Sequence, residues 1–275
     1  MEDLLAEKPA AQLEKFLSRC AEVSSVNTDT IRKIATETTT YLKGNQEKRQ
    51  SMECGQALQK QWYDSLAAGQ PDFSVYATDY YLAELWACWT VYSRQALRGI
   101  LSEKSLPDFG GIAKNLGAPK RIVDLGCGCG YTTAALKQMF PASEVVGTNI
   151  GDTVQSRIAV LMGKEFGFTV VDDLAKIGGA DTVFASEYFE HIEEPIGHLR
   201  EVLSLRPSAM LVANAFGTKA IGHFTTYKLD DVRVSGEDAS KFFHNAMRGG
   251  GYTKIKTKLW NNRPSYWVRT GKRFQ

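Results

Sequence analysis

The sequence predicts an α/β protein in which a mostly parallel sheet with crossover helices follows a helical N-terminal lobe. Three observations carry that expectation. Strand-type and helix-type segments alternate from about residue 116 onward, residues 1–115 show helical patterning throughout, and a glycine-rich turn joins the first strand to the first helix of the alternating part. The expected division is a lobe over residues 1–115 and a ligand-binding domain over 116–275.

Each element follows from its residues. "RIVDLG" is a short apolar run and reads as a buried strand; "YTTAALKQMF" is helix-forming and stops at Pro141; "SEVVGTNI" is a second strand. A helix from about Thr153 to Phe166 has Asp152 or Thr153 as its cap and Gly167 as its exit. "FTVVDD" and "DTVFASEY" are the third and fourth strands, "EPIGHLREVLS" the next helix, and "AMLVANAF" the fifth strand. "GEDASKFFHNAMRGGG" is a helix with a glycine exit. The closing segments "YTKIKTKLW" and "SYWVRTG" are joined around Asn261 to Pro264, too short a link for a crossover, so they pair antiparallel. The helical lobe breaks near Gly44, Gly69 to Pro71 and Pro107 to Gly111. Within it Tyr81, Leu85, Trp89 and Tyr92 share one helical face. Most of that face packs against the following domain, and the lobe is placed to roof a pocket, with Tyr81 and Trp89 as candidate contacts to a flat substrate.

At 275 residues and 43% hydrophobic composition the chain can bury a sizeable core. No apolar run approaches the ~20 residues of a membrane span, and "MEDLLAEKPA" is acidic with no apolar signal core, so a cytoplasmic protein without membrane contact is expected. Of five cysteines, Cys20, Cys54 and Cys88 have no metal-ligand spacing, which fits a reduced compartment and gives no metal site. The net charge is +2, but residues 241–275 carry nine Lys or Arg and no Asp or Glu. That basic segment is either the solvated face of a strand, with Lys254, Lys256 and Lys258 alternating with apolar or small residues, or a contact for an anionic substrate or nucleic acid. Nothing in the sequence sets an oligomeric state.

The turn "DLGCGCG" places glycines at 126, 128 and 130, where absent β-carbons let backbone and a helix start approach a ligand. A dinucleotide loop would space its glycines as G-x-G-x-x-G, which this turn does not. "VDLGCGCGYTT" instead resembles motif I of the class I S-adenosylmethionine-dependent methyltransferases, a similarity that runs from about residue 118 to 271 and is weak or absent in the lobe. The resemblance implies a Rossmann-like, seven-stranded sheet with an antiparallel last strand, S-adenosyl-L-methionine as cofactor, and direct transfer of its methyl group.

Carried onto this chain, the resemblance puts Asp124, Gly126, Cys127, Gly128 and Gly130 around the methionine and ribose of the cofactor, with the two loop cysteines, Cys127 and Cys129, as small spacers. At the end of the second strand the family has an acid for the ribose hydroxyls, where this chain has Asn149 after Thr148; Asp152 is the alternative. Asp172 matches the adenine-binding acid, with Asp173 as competitor. "ASEYFEHIEEP" resembles the fourth motif of the small-molecule branch, matching at Ser186, Glu190, His191 and Ile192, with Glu187 where Asp is common. An accepting hydroxyl or N–H profits from a base, for which Glu187, His191 and His223 are candidates; the resemblance adds Phe224 and Tyr227 over the acceptor. Signatures of DNA methylation are missing: no Pro-Pro-aromatic tetrad follows the fourth strand and no Pro-Cys dipeptide offers a thiolate. The expected substrate is a small molecule with O, N or C as acceptor; the alternatives are a nucleotide or nucleic-acid methyltransferase using the basic C-terminal segment, and a non-catalytic cofactor binder.

Overall fold

The computed structural model describes residues 3–44, 50–107, 110–259 and 263–270. The helical part opens with α1 (Pro9–Val23), whose proline sits in the first turn where no backbone donor is needed, and α2 (Thr28–Leu42), capped by the Asn27 side chain accepting from Thr30 N–H. The break between them, at Ser24 to Asn27, is one the sequence pattern did not reveal. Next come α3 (Gln50–Ala67) and α4 (Asp79–Cys88), the latter capped by Thr78. A π-helical turn over Trp89–Ser93 carries the chain into α5 (Arg94–Leu101), and α6 (Ile112–Leu116) ends this part.

The remainder is a seven-stranded sheet. In chain order it contains β1 (Arg121–Leu125), α7 (Tyr131–Met139), β2 (Glu144–Thr148), α8 (Val154–Phe166), β3 (Thr169–Val171), β4 (Thr182–Ser186), α9 (Pro195–Ser204) and β5 (Ala209–Ala213). A separate hairpin, β6 (Thr226–Leu229) and β7 (Val232–Ser235), precedes α10 (Gly236–Gly249), β8 (Tyr252–Ile255) and β9 (Ser265–Arg269). The spatial order is β3-β2-β1-β4-β5-β9-β8, parallel from β3 to β5, with β9 antiparallel to both β5 and β8. The expected α/β class and the antiparallel closing pair are both present.

Strand alternation divides the interior. Ile122, Phe184, Leu211, Tyr266 and Val268 point to one face, where they share a core with Phe16, Trp86, Leu97 and Ile100 of the N-terminal helices. Val123, Val183, Met210, Val212 and Trp267 point to the other, against Leu199, Phe243 and Met247 of α9 and α10. A third cluster joins Trp62, Val75 and Tyr76 to Ile221, Phe224 and Tyr227.

Two local differences have physical reasons. The hairpin β6–β7 was not anticipated; its strands are only four residues long, and besides the fully buried Tyr227 their apolar residues are half-buried (Leu229, Val234) or exposed (Val232), so hydrophobic periodicity carries little of their signal. The lysine-bearing strand is shorter than expected. Ile255 pairs with Tyr266, and β9 begins one residue earlier at Ser265, so Lys256 and Lys258 lie past the strand. Lys254 remains on it, over the Trp267 ring at 5.8 Å. Lys272 and Arg273 lie outside the described residues.

Candidate active site

The carboxyl ends of β1, β2 and β4 open onto one cavity of about 910 Å³, roofed by α4 and the π-helical turn after it. This is where an open α/β sheet binds ligands, because successive parallel strands end there in loops rather than in hydrogen-bonded neighbours. Among the described residues none beyond His223 lines it, so the described part of the basic C-terminal segment does not face this space.

The glycine loop follows β1. Asp124, at its base, is 2% exposed and accepts from Thr133 Oγ1 at 2.6 Å. Burial pushes its carboxyl up to about 7, partly offset by the Thr133 hydroxyl. The three glycines answer to different neighbours. A β-carbon on Gly126 would overlap the Tyr188 ring, and one on Gly128, where φ is +54°, would project 3.6 Å from the Leu85 side chain across the cavity. Gly130 caps α7 with φ +83°, and a β-carbon there would come within 3.1 Å of Ala159 Cα on α8. Gly126, Cys127 and Gly128 line the cavity and Gly130 does not, so the contact expected of Gly130 is replaced by close packing of α7 on α8.

Around the adjacent loops the predicted residues divide. Thr148 and Asn149 line the cavity, but both serve the loop itself: Thr148 Oγ1 accepts from Gly126 N–H at 3.1 Å, and Asn149 Nδ2 donates to the Gly128 carbonyl at 2.6 Å. Asp152 points to solvent and pairs with Arg157 at 3.1 Å. Asp172 lines the cavity with its carboxylate paired to Lys176, which holds it below the usual carboxylate range. Asp173 caps the short 3-10 turn Leu174–Lys176 through Ala175 N–H.

At the end of β4, Ser186 and Glu187 face the cavity. Glu187 has φ +52°, a left-handed conformation disfavoured for a residue with a β-carbon and characteristic of sites where a side chain must be aimed. Its N–H is held by the Ala213 carbonyl at 2.8 Å. His191 and His223 stand edge to face with ring centroids 4.6 Å apart. Burial, then the neighbouring His223, drives His191 down to about 3, so its ring is neutral; its Nδ1 lies 3.1 Å from the Tyr76 hydroxyl. Burial also lowers His223.

Tyr81 and Trp89 line the roof as expected. Phe224 and Tyr227 do not: they are 4% and 0% exposed and pack with Trp62 behind the cavity wall, where the Tyr227 hydroxyl donates to the Glu190 carbonyl at 3.4 Å. The position over an acceptor expected for this pair is thereby corrected to core packing; the unforeseen hairpin turns them inward. Among the cavity residues that were missed are Tyr76 and Glu84. The signal for Glu84 was an acid three residues after Tyr81 on the aromatic face of α4, and burial pushes its carboxyl up to about 7. Glu190, matched to the fourth motif, is fully buried and accepts from Ala215 N–H at 2.8 Å.

The residues present fit the expected cofactor: a loop whose main chain lines the cavity, where a β-carbon on Gly128 would project into the space, with a buried acid at its base and further acids at the ends of β3 and β4. No family model matches the chain. It is 30% identical over 95 residues to a trans-aconitate 2-methyltransferase of Rhodopseudomonas palustris (strain BisA53), covering 34% of this chain and 37% of that protein. It is 34% identical over 116 residues to a demethylmenaquinone methyltransferase of Thermus thermophilus, covering 39% of this chain and 52% of that protein. The chain thus spans about half or less of the length of these relatives. Solved structures similar to it include the O-methyltransferase of a trans-AT PKS multienzyme from Brevibacillus brevis in complex with S-adenosyl-L-homocysteine, with TM-score 0.42 and 14% identity over 60% of this chain and 54% of that one. Another is the SAH-bound N-terminal domain of EvdMO1, with TM-score 0.36 and 16% identity over 57% of this chain and 62% of that one. In strand order, in the acid-and-glycine loop after β1 and in the curated methyltransferases it matches over about a third of its length, this chain is similar to the class I S-adenosylmethionine-dependent methyltransferases.

Proposed function

We propose that the chain transfers a methyl group from S-adenosylmethionine to a small, uncharged or cationic acceptor built around an apolar ring. The observation that carries this reading is that one cavity holds both the bare-backbone loop at Gly126 and Gly128 and the group Glu187, His191 and His223, under an aromatic roof.

Asp124, the main chain at Gly126 and Gly128, Asn149 and Asp172 would hold the cofactor, which when bound supplies an electrophilic methyl on a positively charged sulfur, taken by in-line displacement. Ser186 belongs to the same wall. Holding the acceptor in line is a large part of the rate enhancement such a reaction needs, and no covalent enzyme intermediate is required. Tyr76, Tyr81 and Trp89 offer rings against which a flat acceptor can lie and exclude water from it. In this reading Glu187 and His223 take the proton of an accepting hydroxyl or N–H. His191, held neutral and beside Tyr76, serves to orient rather than to carry charge.

The acceptor's charge follows from the walls. Among the described residues no Lys or Arg lines the cavity, whereas Glu84, Glu187 and Asp172 do. A polycarboxylate such as trans-aconitate would meet acids without counter-charges, while an uncharged ring of the kind in demethylmenaquinone would not. Nucleic acid is disfavoured for the same reason.

The test is formation of S-adenosylhomocysteine, followed by mass spectrometry, over a panel of uncharged phenols and quinols and of matched carboxylates. The expected outcome is turnover with the uncharged ring compounds and a loss of about 10²-fold or more in Glu187→Gln, the usual scale for a positioned base. Turnover confined to the carboxylates contradicts it.

A further inference from the structure

Glu187 and Glu190 stand three residues apart after β4 and His223 lies in the segment after β5, yet each brings one ligand-type atom to within 4.8 Å of the other two. Donors about 2.1 Å from one tetrahedral ion stand roughly 3.4 Å apart. Side-chain rotation that closes the cluster by up to about 1.4 Å would bring the three atoms to coordination distance.

Each member is also oriented from behind. His223 Nδ1 lies 2.9 Å from the Thr218 carbonyl, which can only accept, so Nδ1 carries the proton and Nε2 keeps its lone pair. A metal-bound histidine is ordinarily fixed in this manner. Glu190 is 0% exposed, with Oε1 accepting from Ala215 N–H at 2.8 Å, Oε2 fully buried with no N–H or hydroxyl donor, and the Glu187 carboxyl beside it. A buried carboxylate oxygen with nothing to accept from is costly unless a proton or cation serves it. Glu187 is aimed into the cavity by its left-handed backbone. The other groups near the cluster are the neutral ring of His191, Tyr76 and Tyr227 toward Glu190, and Cys88, Tyr92 and the charge of Arg263 toward Glu187.

We infer that Glu187, Glu190 and His223 form a three-ligand site for one divalent first-row cation at the acceptor end of the cavity, with its remaining positions open to the substrate. The mixed oxygen and nitrogen set suits Mn²⁺ or Zn²⁺, and three protein ligands with open positions is the pattern of a catalytic rather than a structural site. The role of the ion, though not its binding, rests on the methyl-transfer reading above. An acceptor hydroxyl bound to the ion loses its proton to water in the open cavity. The oxygen lone pair then forms the O–CH₃ bond as the S–CH₃ bond breaks, its electron pair staying on sulfur, and the ion is unchanged. Glu187 and His223 then act through the ion rather than as free bases.

The test is isothermal titration of EDTA-treated full-length protein with Mn²⁺ and, separately, Zn²⁺. Wild type is expected to take up one ion per chain, and Glu187→Ala, Glu190→Gln and His223→Ala each to weaken uptake at least 10-fold. Native folding of each variant is checked by cooperative thermal unfolding. Should the buried Glu190→Gln fail to fold, the other two carry the comparison. No uptake by wild type, or uptake that all folded variants retain, overturns the inference and leaves the two carboxyls sharing a proton. A parallel titration with S-adenosylhomocysteine separates the two readings. Homocysteine-nucleoside binding without metal uptake sinks only the ion; metal uptake without it sinks only the methyl-transfer assignment.

Discussion

Asp124 carries a testable charge state. Its folded pKa, raised by burial to about 7, exceeds the ordinary carboxylate value, so the cofactor-free folded protein binds the proton more tightly than the unfolded chain does. The stability this proton confers is fully present below about pH 4 and is lost as pH rises through about 7. Asp124→Asn, which keeps the acceptor for Thr133, removes that dependence. Relative to wild type, its urea-unfolding stability is expected to gain up to about 1.4 kcal/mol per pH unit between pH 4 and 7 and to level off above. Parallel pH profiles for the two proteins contradict this. Asp124, Gly126 and Gly128 were legible because loop, acid and strand lie within a few residues of one another. Glu190's burial and Glu84's place in the cavity were not, because each depends on chain segments distant in sequence: Glu190 is anchored by Ala215, and α4 becomes a roof only after the helices fold onto the sheet.

At the scale of elements, the loop glycines separate packing from binding. Gly130→Ala pushes α7 from α8 at Ala159 and Phe168 and strains a left-handed cap, so it is expected to lower stability by about 1–3 kcal/mol while S-adenosylhomocysteine affinity is kept in the folded fraction. Gly128→Val also strains a left-handed residue, and its folded fraction is expected to lose in calorimetry the cofactor binding that Gly130→Ala keeps. A second link ties α3 to the His223 loop, where Trp62 Nε1 donates to the His223 carbonyl at 2.7 Å and the Tyr63 hydroxyl to the Ala220 carbonyl at 3.2 Å. Trp62→Phe leaves that carbonyl without its indole partner and is expected to cost about 1–3 kcal/mol in denaturant unfolding; an unchanged midpoint counts against the link. The main strands and helices were legible because each has a clear period and a proline, glycine or capping residue at its end. The β6–β7 hairpin was not, since its four-residue strands fully bury only Tyr227, and with it went the placement of Phe224 and Tyr227.

Across the whole molecule, the N-terminal helices are part of the sheet's own core. Phe16 stacks on Trp86 at 5.1 Å between ring centroids and meets Tyr131 of α7 at 6.0 Å, and Arg19 donates to the Tyr131 hydroxyl at 2.8 Å. We propose that residues 1–115 act as the roof of the acceptor cavity. A chain starting at residue 112 would expose the face carrying Ile122, Phe184 and Leu211, so it is expected to lose cooperative thermal unfolding and to bind a hydrophobic dye. Cooperative unfolding of that fragment would show the strand-rich part to be independent. The fold class was readable because alternating strand and helix signals admit few topologies. The shared core was not, since periodicity shows that a helix face is apolar without showing what covers it.

The account depends most on the turn after β1 receiving the cofactor against bare main chain, and calorimetry tests that directly. Titration of folded wild type with S-adenosylhomocysteine is expected to give one binding event per chain, abolished in a still-folded Gly128→Val. No heat from either S-adenosylmethionine or S-adenosylhomocysteine, or full binding by that variant, contradicts it.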